Sequence, residues 1–233
     1  MIKAVIFDLD GTLVPFTLDV KACRIKVIRY LTEQGFPASL FSMNETAFDM
    51  LVKVKKYIKT TRIKKQKFAE IEKVVHSIVE GFELEAAQST EMFSGVLETL
   101  KTLKDMNVKI ALCTISGEKA AKRIIDRFGL EAFFDAVIMR EDVPAVKPDP
   151  IHLEAVLAAL KVGAQEAVSV GDSAKDIICA SHLKVLAVGV TTGLSSMDAL
   201  VHAGAHYIVS SVNELPCLIT QLSKQFTEEQ NLF

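Results

Sequence analysis

The sequence predicts an α/β fold, in which a Rossmann-like parallel sheet forms a core domain and an α-helical domain is inserted into it. Three observations lead to this prediction. The apolar run Ala4–Phe7 shows no polar alternation, which is typical of a strand buried on both faces. Between Pro15 and Met92 no such run occurs, and helix signals dominate. After Ser94, strand-like and helix-like segments alternate, as in the βαβ units of a parallel sheet.

The first strand must find its partners far along the chain, because only the region after Ser94 offers further strand-like runs. This order predicts a core domain of residues 1–14 and 93–233, interrupted by a helical cap of residues 15–92. The expected core elements are the strands Val108–Cys113, Ala136–Met139, Ala167–Val170, Val185–Val190 and Tyr207–Val209, and the helices Gly95–Met106, Gly117–Phe128 and Pro150–Leu160, with a last helix after Asn213.

Three helices are expected in the cap. The first spans Lys21 to Gln34, and Ser42 with Glu45 forms a capping-box pattern that would open the second. The side chains expected on the buried faces of the second and third helices are Phe48, Leu51, Val52, Ile58, Phe68, Ile71, Val74, Val75, Ile78 and Phe82. Eight Lys and Arg residues and no acid lie from Lys53 to Lys67, which we interpret as a solvated helix face.

Length and composition exclude several classes of protein. With 233 residues, half of them hydrophobic, the chain can bury a sizeable core and is not disordered. The net charge of −2 gives no basic field for nucleic acid or a membrane surface, and no apolar run approaches the ~20 residues that span a bilayer. The four cysteines form no disulfide or metal pattern, and Met1 leads directly into the first strand. We therefore expect a cytoplasmic protein.

The first strand ends in two carboxylates, Asp8 and Asp10. While the chain stays extended, both point to the same side. Two neighbouring anions repel, so both ionise only if a cation lies between them, and otherwise one keeps its proton. A carboxylate beside Mg²⁺ is an oriented nucleophile, and a protonated carboxyl is a general acid. A turn in which the acids only cap the strand is the alternative.

Other strand-like runs also end in polar residues, and parallel strands bring such ends to one edge of a sheet. The run after Val108 ends at Thr114-Ile115-Ser116-Gly117, where a hydroxyl and helix N-terminal amides could hold an anion. Lys147 precedes a predicted helix, and the run after Ala167 ends at Asp172 with Asp176 four residues later. Each feature alone is also explained by helix capping or solvation. Together they supply what phosphoryl transfer needs.

These motifs resemble those of the haloacid dehalogenase superfamily, and in particular its phosphoglycolate-phosphatase-like branch with a helical cap. The matching residues occur in the family's order: Asp8-Leu9-Asp10-Gly11-Thr12, Thr114, Lys147-Pro148, and Gly171-Asp172-Ser173 with Asp176. The likeness covers almost the whole chain, including the position of the inserted cap.

The resemblance implies a role for each matching residue. Asp8 would attack phosphorus, and Asp10 would protonate the leaving oxygen and later activate water. Phosphate would be bound by Thr114, Ile115 and Lys147. The Mg²⁺ ligands would be Asp8, Asp172 and the carbonyl of Asp10. Asp176 would contact these ligands without binding Mg²⁺, or it would orient Lys147. The cap would exclude water and select the leaving group.

The predicted function is therefore a Mg²⁺-dependent phosphatase that hydrolyses a small phosphorylated metabolite through an aspartyl-phosphate. A sugar-phosphate mutase would share every catalytic residue. A phospho-accepting signalling receiver uses similar acids, but its compact domain has no room for the helical insertion. A dehalogenase attacks carbon and needs no second acid such as Asp10. A binding protein without catalysis is the remaining alternative.

Overall fold

The computed structural model describes residues 1–61 and 66–230. The strands are β1 (Ala4–Phe7), β2 (Lys109–Cys113), β3 (Ala136–Ile138), β4 (Ala167–Gly171), β5 (Leu186–Val190) and β6 (Tyr207–Val209). The α-helices within the described residues are α1 (Val20–Glu33), α2 (Ala47–Thr61), α3 (Gln66–Ser89), α4 (Val96–Asp105), α5 (Glu118–Phe128), α6 (Ile151–Leu160), α7 (Ala174–His182), α8 (Met197–His202) and α9 (Leu215–Gln230). None of these helices is long and apolar enough to cross a bilayer.

The six strands form one parallel sheet in the order β3-β2-β1-β4-β5-β6. The predicted α/β fold with a parallel sheet is confirmed. Strand β1 lies in the middle, with Ile6 paired to Ala111 on one side and to Ser169 on the other. The chain builds the sheet outward from β1 in one direction and then, from β4, in the other. The carboxyl ends of β1 and β4 therefore flank the crevice where ligands bind in open α/β sheets.

The β1 strand is buried on both faces, as its unbroken apolar run predicts. All four of its side chains are at most 1% exposed. Ala4 and Ile6 belong to a cluster with residues of α6, α7 and α8, while Val5 and Phe7 point to the opposite face. Burying an Ile or Phe side chain contributes ~1.5–3 kcal/mol, so β1 anchors the sheet and fixes the residues that follow it.

The chain divides into two compact units, Met1–Thr17 with Ser89–Phe233, and Leu18–Gln88. The second is helical and has its own core, which includes Val27, Leu31, Met50, Val54, Ile71 and Val75. It is shorter than the predicted cap of residues 15–92. Pro15 and Thr90 belong to the first unit, where the Thr90 hydroxyl donates to the Pro15 carbonyl at 3.2 Å.

The start of α2 differs from the prediction. Ser42 and Glu45 form a turn in which the Ser42 N–H donates to Glu45 Oε1 at 2.7 Å, and the helix begins only at Ala47. Thr46 and Asp49 cap it instead, because the Asp49 N–H donates to Thr46 Oγ1 and the Thr46 N–H donates to Asp49 Oδ2. The buried positions of the helix are Ala47, Met50, Leu51, Val54 and Ile58.

Two side chains predicted to be buried in the helical unit are exposed. Val52 is 68% exposed and Val74 is 37% exposed, so these predictions are wrong. Val52 follows Leu51 by one position, which turns it about 100° away from the buried stripe of α2. Val75 and Ile71 occupy the buried stripe of α3 that the prediction extended to Val74.

Predicted and observed ends of the core strands and helices agree to within one residue. Gly95, Gly117 and Pro150 precede α4, α5 and α6 as N-cap residues instead of belonging to them.

In the basic segment, Lys53 donates to the Leu40 carbonyl at 3.0 Å and pairs with Glu45 at 2.6 Å. Residues 62–65 of that segment lie outside the described residues, so its interpretation stays a prediction.

Candidate active site

Asp8 and Asp10 follow β1, where the extended chain gives way to a turn. The Asp8 N–H continues the sheet by donating to the Val170 carbonyl at 2.9 Å, and the Asp8 side chain is buried. The chain then turns, with the Leu13 N–H donating to the Leu9 carbonyl at 2.9 Å and Gly11 at a φ of +89°. The prediction that both acids point to one side applied to an extended chain, and it stays a prediction because the turn begins at Leu9. Asp10 is half-buried at the edge of the sheet.

Asp172 follows β4 at the neighbouring strand end. Its side chain is 1% exposed, and its Oδ2 accepts a hydrogen bond from the Leu194 N–H at 2.6 Å. Two glycines approach this carboxylate, because a Cβ atom on Gly11 or Gly193 would overlap it. The strand-end acid is therefore enclosed by backbone from the loops after β1 and β5.

Asp176 lies in the first turn of α7. Its Oδ2 accepts from the Ser173 N–H at 3.1 Å and from the Ser173 hydroxyl at 2.5 Å, which makes Ser173 the N-cap. Capping by Asp172, the alternative weighed from the sequence, is wrong because Asp172 precedes the cap. Gly171 permits this arrangement, since a Cβ there would overlap the Asp176 side chain.

Lys147 connects the acids. Its ammonium donates to Asp8 Oδ1 at 2.6 Å, to Asp176 Oδ1 at 2.5 Å and to the Cys113 carbonyl at 2.7 Å. These three bonds use all three hydrogens of the ammonium. Lys147 is 6% exposed, so the alternative of a solvated lysine is wrong. Its backbone N–H donates to Nδ1 of the fully buried His152 at 3.3 Å.

The site carries more negative than positive charge. Asp8, Asp172 and Asp176 place one carboxylate oxygen each within 4.8 Å of one another, with one ammonium beside them. Burial raises the pKa of Asp8 well above its usual value despite the attraction of Lys147, and burial also raises the pKa of Asp172. Burial would lower the pKa of Lys147, but the carboxylates of Asp176 and Asp8 outweigh it and hold that pKa well above normal.

This donor set fits a hard divalent cation. Its side-chain ligands are carboxylate oxygens, which Mg²⁺ prefers, and a cation would offset the excess of buried negative charge. Of the acids, Asp176 already accepts on both oxygens from Lys147 and Ser173. Asp8 and Asp172 therefore remain the better side-chain ligands, and Asp176 holds Lys147.

The loop after β2 carries the predicted phosphate-binding residues. Thr114 is fully buried, and its Oγ1 accepts from the Ser116 N–H at 3.1 Å, while Ile115 is 38% exposed. The alternative that Thr114 and Ser116 cap the following helix is wrong, because Gly117 is the N-cap of α5. The Ser116 hydroxyl instead donates to Asp10 Oδ2 at 2.5 Å.

The structure thus joins Asp8 and Asp176 through hydrogen bonds to Lys147, and it places a carboxylate oxygen of Asp172 within 4.8 Å of theirs. Asp10 is joined to the loop of Thr114 and Ile115 through Ser116. Sequence reasoning missed three contributors: Ser116, the Leu194 N–H and the Cys113 carbonyl. Only Ser116 gave a signal, as a second hydroxyl in a strand-end run. The other two are backbone groups, which any residue type would supply.

A buried acid cluster at the carboxyl edge of a parallel α/β sheet, with a helical unit inserted after the first strand, defines a class of hydrolase. Residues 5–190 match the family model of haloacid dehalogenase-like hydrolases. The chain belongs to this family, as the motifs predicted.

Individual relatives agree with this assignment. Phosphoglycolate phosphatase of Cereibacter sphaeroides is 32% identical over 225 residues, covering 94% of this chain and 98% of that protein. The pyrophosphatase PpaX of Halalkalibacterium halodurans is 32% identical over 125 residues, which cover 54% of this chain and 58% of that protein. A hydrolase structure from Pseudomonas syringae superposes with a TM-score of 0.68 at 22% identity, covering 94% of this chain and 98% of that one, and so shares the fold. The predicted enzyme class, a phosphatase, agrees with the names of these sequence relatives.

Proposed function

We propose that the protein is a Mg²⁺-dependent phosphatase that hydrolyses a small phosphate monoester through an aspartyl-phosphate on Asp8. One observation carries the proposal: the Lys147 ammonium bonds Asp8 and Asp176 together at the crevice between β1 and β4. This fixes a buried carboxylate by one oxygen, at the point where a ligand enters such a sheet. A fixed carboxylate beside a cation is equipped to act as a nucleophile.

In this proposal Asp8 attacks phosphorus with the oxygen that Lys147 does not hold. The leaving oxygen takes a proton from Asp10, and the alcohol departs. Asp10, now ionised, removes a proton from the water that attacks the aspartyl-phosphate, which regenerates Asp8 and releases inorganic phosphate. General acid–base help of this kind is worth ~10²–10⁴ in rate. Asp10 is suited to both steps because it is half-buried and lies two residues after the nucleophile.

The phosphoryl group needs positive charge and hydrogen-bond donors around it. Lys147 supplies charge, and we assign Thr114 and the Ile115 backbone to the phosphoryl oxygens because they end the strand next to β1. Asp8, Asp172 and the Asp10 carbonyl would hold Mg²⁺, which when bound neutralises phosphoryl charge. Asp176 would position Lys147 and bind neither substrate nor metal.

The substrate we propose is a small phosphorylated metabolite, with phosphoglycolate first among candidates because a full-length relative carries that name. The helical insertion, predicted from the sequence as residues 15–92, would serve as the cap that selects the leaving group. No nucleic acid or membrane partner is proposed, since the net charge is only −2. We place the enzyme in the cytoplasm, where Cys23, Cys113, Cys179 and Cys217, none of which forms a disulfide in the structure, would stay reduced.

The test is phosphate release from a panel of metabolite phosphates, with Mg²⁺ and with a chelator. The proposal expects release with Mg²⁺, loss with the chelator, restoration by added Mg²⁺, and no release by Asp8→Asn. Full activity of metal-stripped protein would contradict the metal site. Conversion of a hexose phosphate to its isomer without phosphate release would favour the sugar-phosphate mutase instead.

A further inference from the structure

Ser116 is joined to the second acid of the site but has no place in the reaction as described. Its hydroxyl donates to Asp10 Oδ2 at 2.5 Å, across 106 positions of sequence, and both residues are half-buried. We propose that Ser116 is a positioning residue that orients the Asp10 carboxyl for proton transfer to the leaving group. This inference rests on the proposed function and names a further residue that the function needs.

In this proposal Ser116 is the hydrogen-bond donor to Asp10 in both protonation states of the carboxyl. A neutral carboxyl has one O–H and one carbonyl oxygen, and a hydroxyl donates to the carbonyl oxygen. With Ser116 donating to Oδ2, the proton of neutral Asp10 would lie on Oδ1. Ser116 therefore aims the acidic O–H as well as holding the side chain.

The loop that carries Ser116 is held at three points. The Ser116 N–H donates to Thr114 Oγ1 at 3.1 Å, which closes a tight turn. Arg140 Nη1 donates to the Ile115 carbonyl at 3.4 Å. The Glu118 N–H donates to Glu141 Oε2 at 2.9 Å. The last two contacts are linked to each other, because Arg140 Nε also donates to the Glu141 carboxylate at 3.1 Å. A loop held in this way costs little entropy when its hydroxyl orients another group.

The backbone next to Asp10 is fixed as well. The Gly11 N–H donates to the Val14 carbonyl at 2.6 Å, and the Thr192 hydroxyl donates to the Gly11 carbonyl at 2.6 Å. Asp10 is therefore restrained at its main chain by the turn after β1 and at its carboxyl by Ser116. A proton donor restrained at both ends meets the geometric demand of general acid catalysis.

The role of Ser116 should depend on the leaving group. When Asp8 attacks, the P–O ester bond breaks with its electron pair on the leaving oxygen, which takes the Asp10 proton to become an alcohol. An alkoxide leaves poorly without that proton, whereas 4-nitrophenolate leaves as a stable anion. Misdirecting Asp10 should therefore slow alkyl esters far more than 4-nitrophenyl phosphate.

The experiment compares kcat/KM of Ser116→Ala and wild type with Mg²⁺ on an alkyl phosphate and on 4-nitrophenyl phosphate. This constant covers the steps up to phosphorylation of Asp8, so it excludes the later hydrolysis. We expect a loss of ~30-fold on the alkyl ester and less than about threefold on the aryl ester. Ser116→Thr, which keeps the hydroxyl, should recover most of the alkyl activity. Ser181→Ala removes the same group from an exposed position of α7 and should change neither value.

The ratio of the two constants does not depend on the fraction of folded enzyme, so partial unfolding of Ser116→Ala cannot imitate the expected result. Equal losses on both esters would overturn the inference, as would a Thr variant with the same ratio as the Ala variant. Absence of Mg²⁺-dependent phosphate release by wild type would contradict the proposed function instead.

Discussion

The Lys147 ammonium lies 2.6 Å from Asp8 Oδ1 and 2.5 Å from Asp176 Oδ1, with all three residues buried. One cation therefore joins the proposed nucleophile to the first turn of α7. Lys147 carries one positive charge among the three carboxylates of Asp8, Asp172 and Asp176. The resulting excess of negative charge in the crevice is the electrostatic reason to expect a bound cation there.

Replacing Lys147 by Met should destabilise the protein and abolish activity. The change leaves three buried carboxylates without their cation, and removing one partner of a buried pair costs ~3–5 kcal/mol. Chemical denaturation in the presence of a chelator would measure the loss. The double variant Lys147→Met, Asp176→Asn should regain part of the stability but none of the phosphate release. Equal stability of wild type and Lys147→Met would contradict the buried ion pair.

Replacing Gly193 by Ala should weaken the response to Mg²⁺. The new Cβ would overlap the Asp172 carboxylate, which cannot retreat easily because it is buried and bonded to the Leu194 N–H. We expect the Mg²⁺ concentration for half-maximal activity to rise ~10-fold, with a smaller change at saturating Mg²⁺. Gly81→Ala is the matched control, since nothing lies within 4 Å of a Cβ there. An unchanged Mg²⁺ concentration for half-maximal activity would contradict the assignment of Asp172 as a metal ligand.

Because the folded protein keeps His152 neutral, the free energy of unfolding should fall in mild acid. Burial, followed by the charge of Lys147, lowers the pKa of His152 from 6.5 to about 4. The unfolded chain therefore binds a proton between these pKa values that the folded protein does not bind. Stability contributed by the neutral ring is intact above pH 6.5 and is lost as the pH falls toward 4.

The measurement is the free energy of unfolding of wild type and His152→Gln at pH 7 and pH 5. The difference between the two proteins isolates the imidazole from other titrating groups. Wild type should lose ~2 kcal/mol more than the variant over this interval, because one pKa unit corresponds to ~1.4 kcal/mol. Parallel losses in both proteins would show that His152 titrates normally.

Much of this site follows from the sequence for a simple reason. A buried strand such as β1 is recognised by its unbroken apolar run, and whatever polar residue ends it must reach the edge of the sheet. Asp8 and Asp172 were predictable in this way. The pairing of Asp8 with Lys147 was not, because it depends on how the loop before α6 brings Lys147 to the carboxyl end of β2.

Other features could not be predicted because one local sequence pattern is compatible with two backbone structures. Ser42 and Glu45 satisfy a capping box, yet they form a turn, and the helix begins at Ala47 with Thr46 as its cap. The contact of Ser116 with Asp10 was hidden for a different reason. It joins two strand ends that are adjacent only in the folded sheet.

The central claim is that phosphate passes through Asp8. The direct measurement is rapid acid quenching of enzyme during turnover with Mg²⁺, followed by proteolysis and mass spectrometry of the peptide that contains Asp8. Wild type should carry one phosphoryl group on Asp8, and Asp8→Asn should carry none under the same conditions. Steady phosphate release by wild type with an unmodified Asp8 at every quench time, or with the phosphoryl group on another residue, would contradict the account.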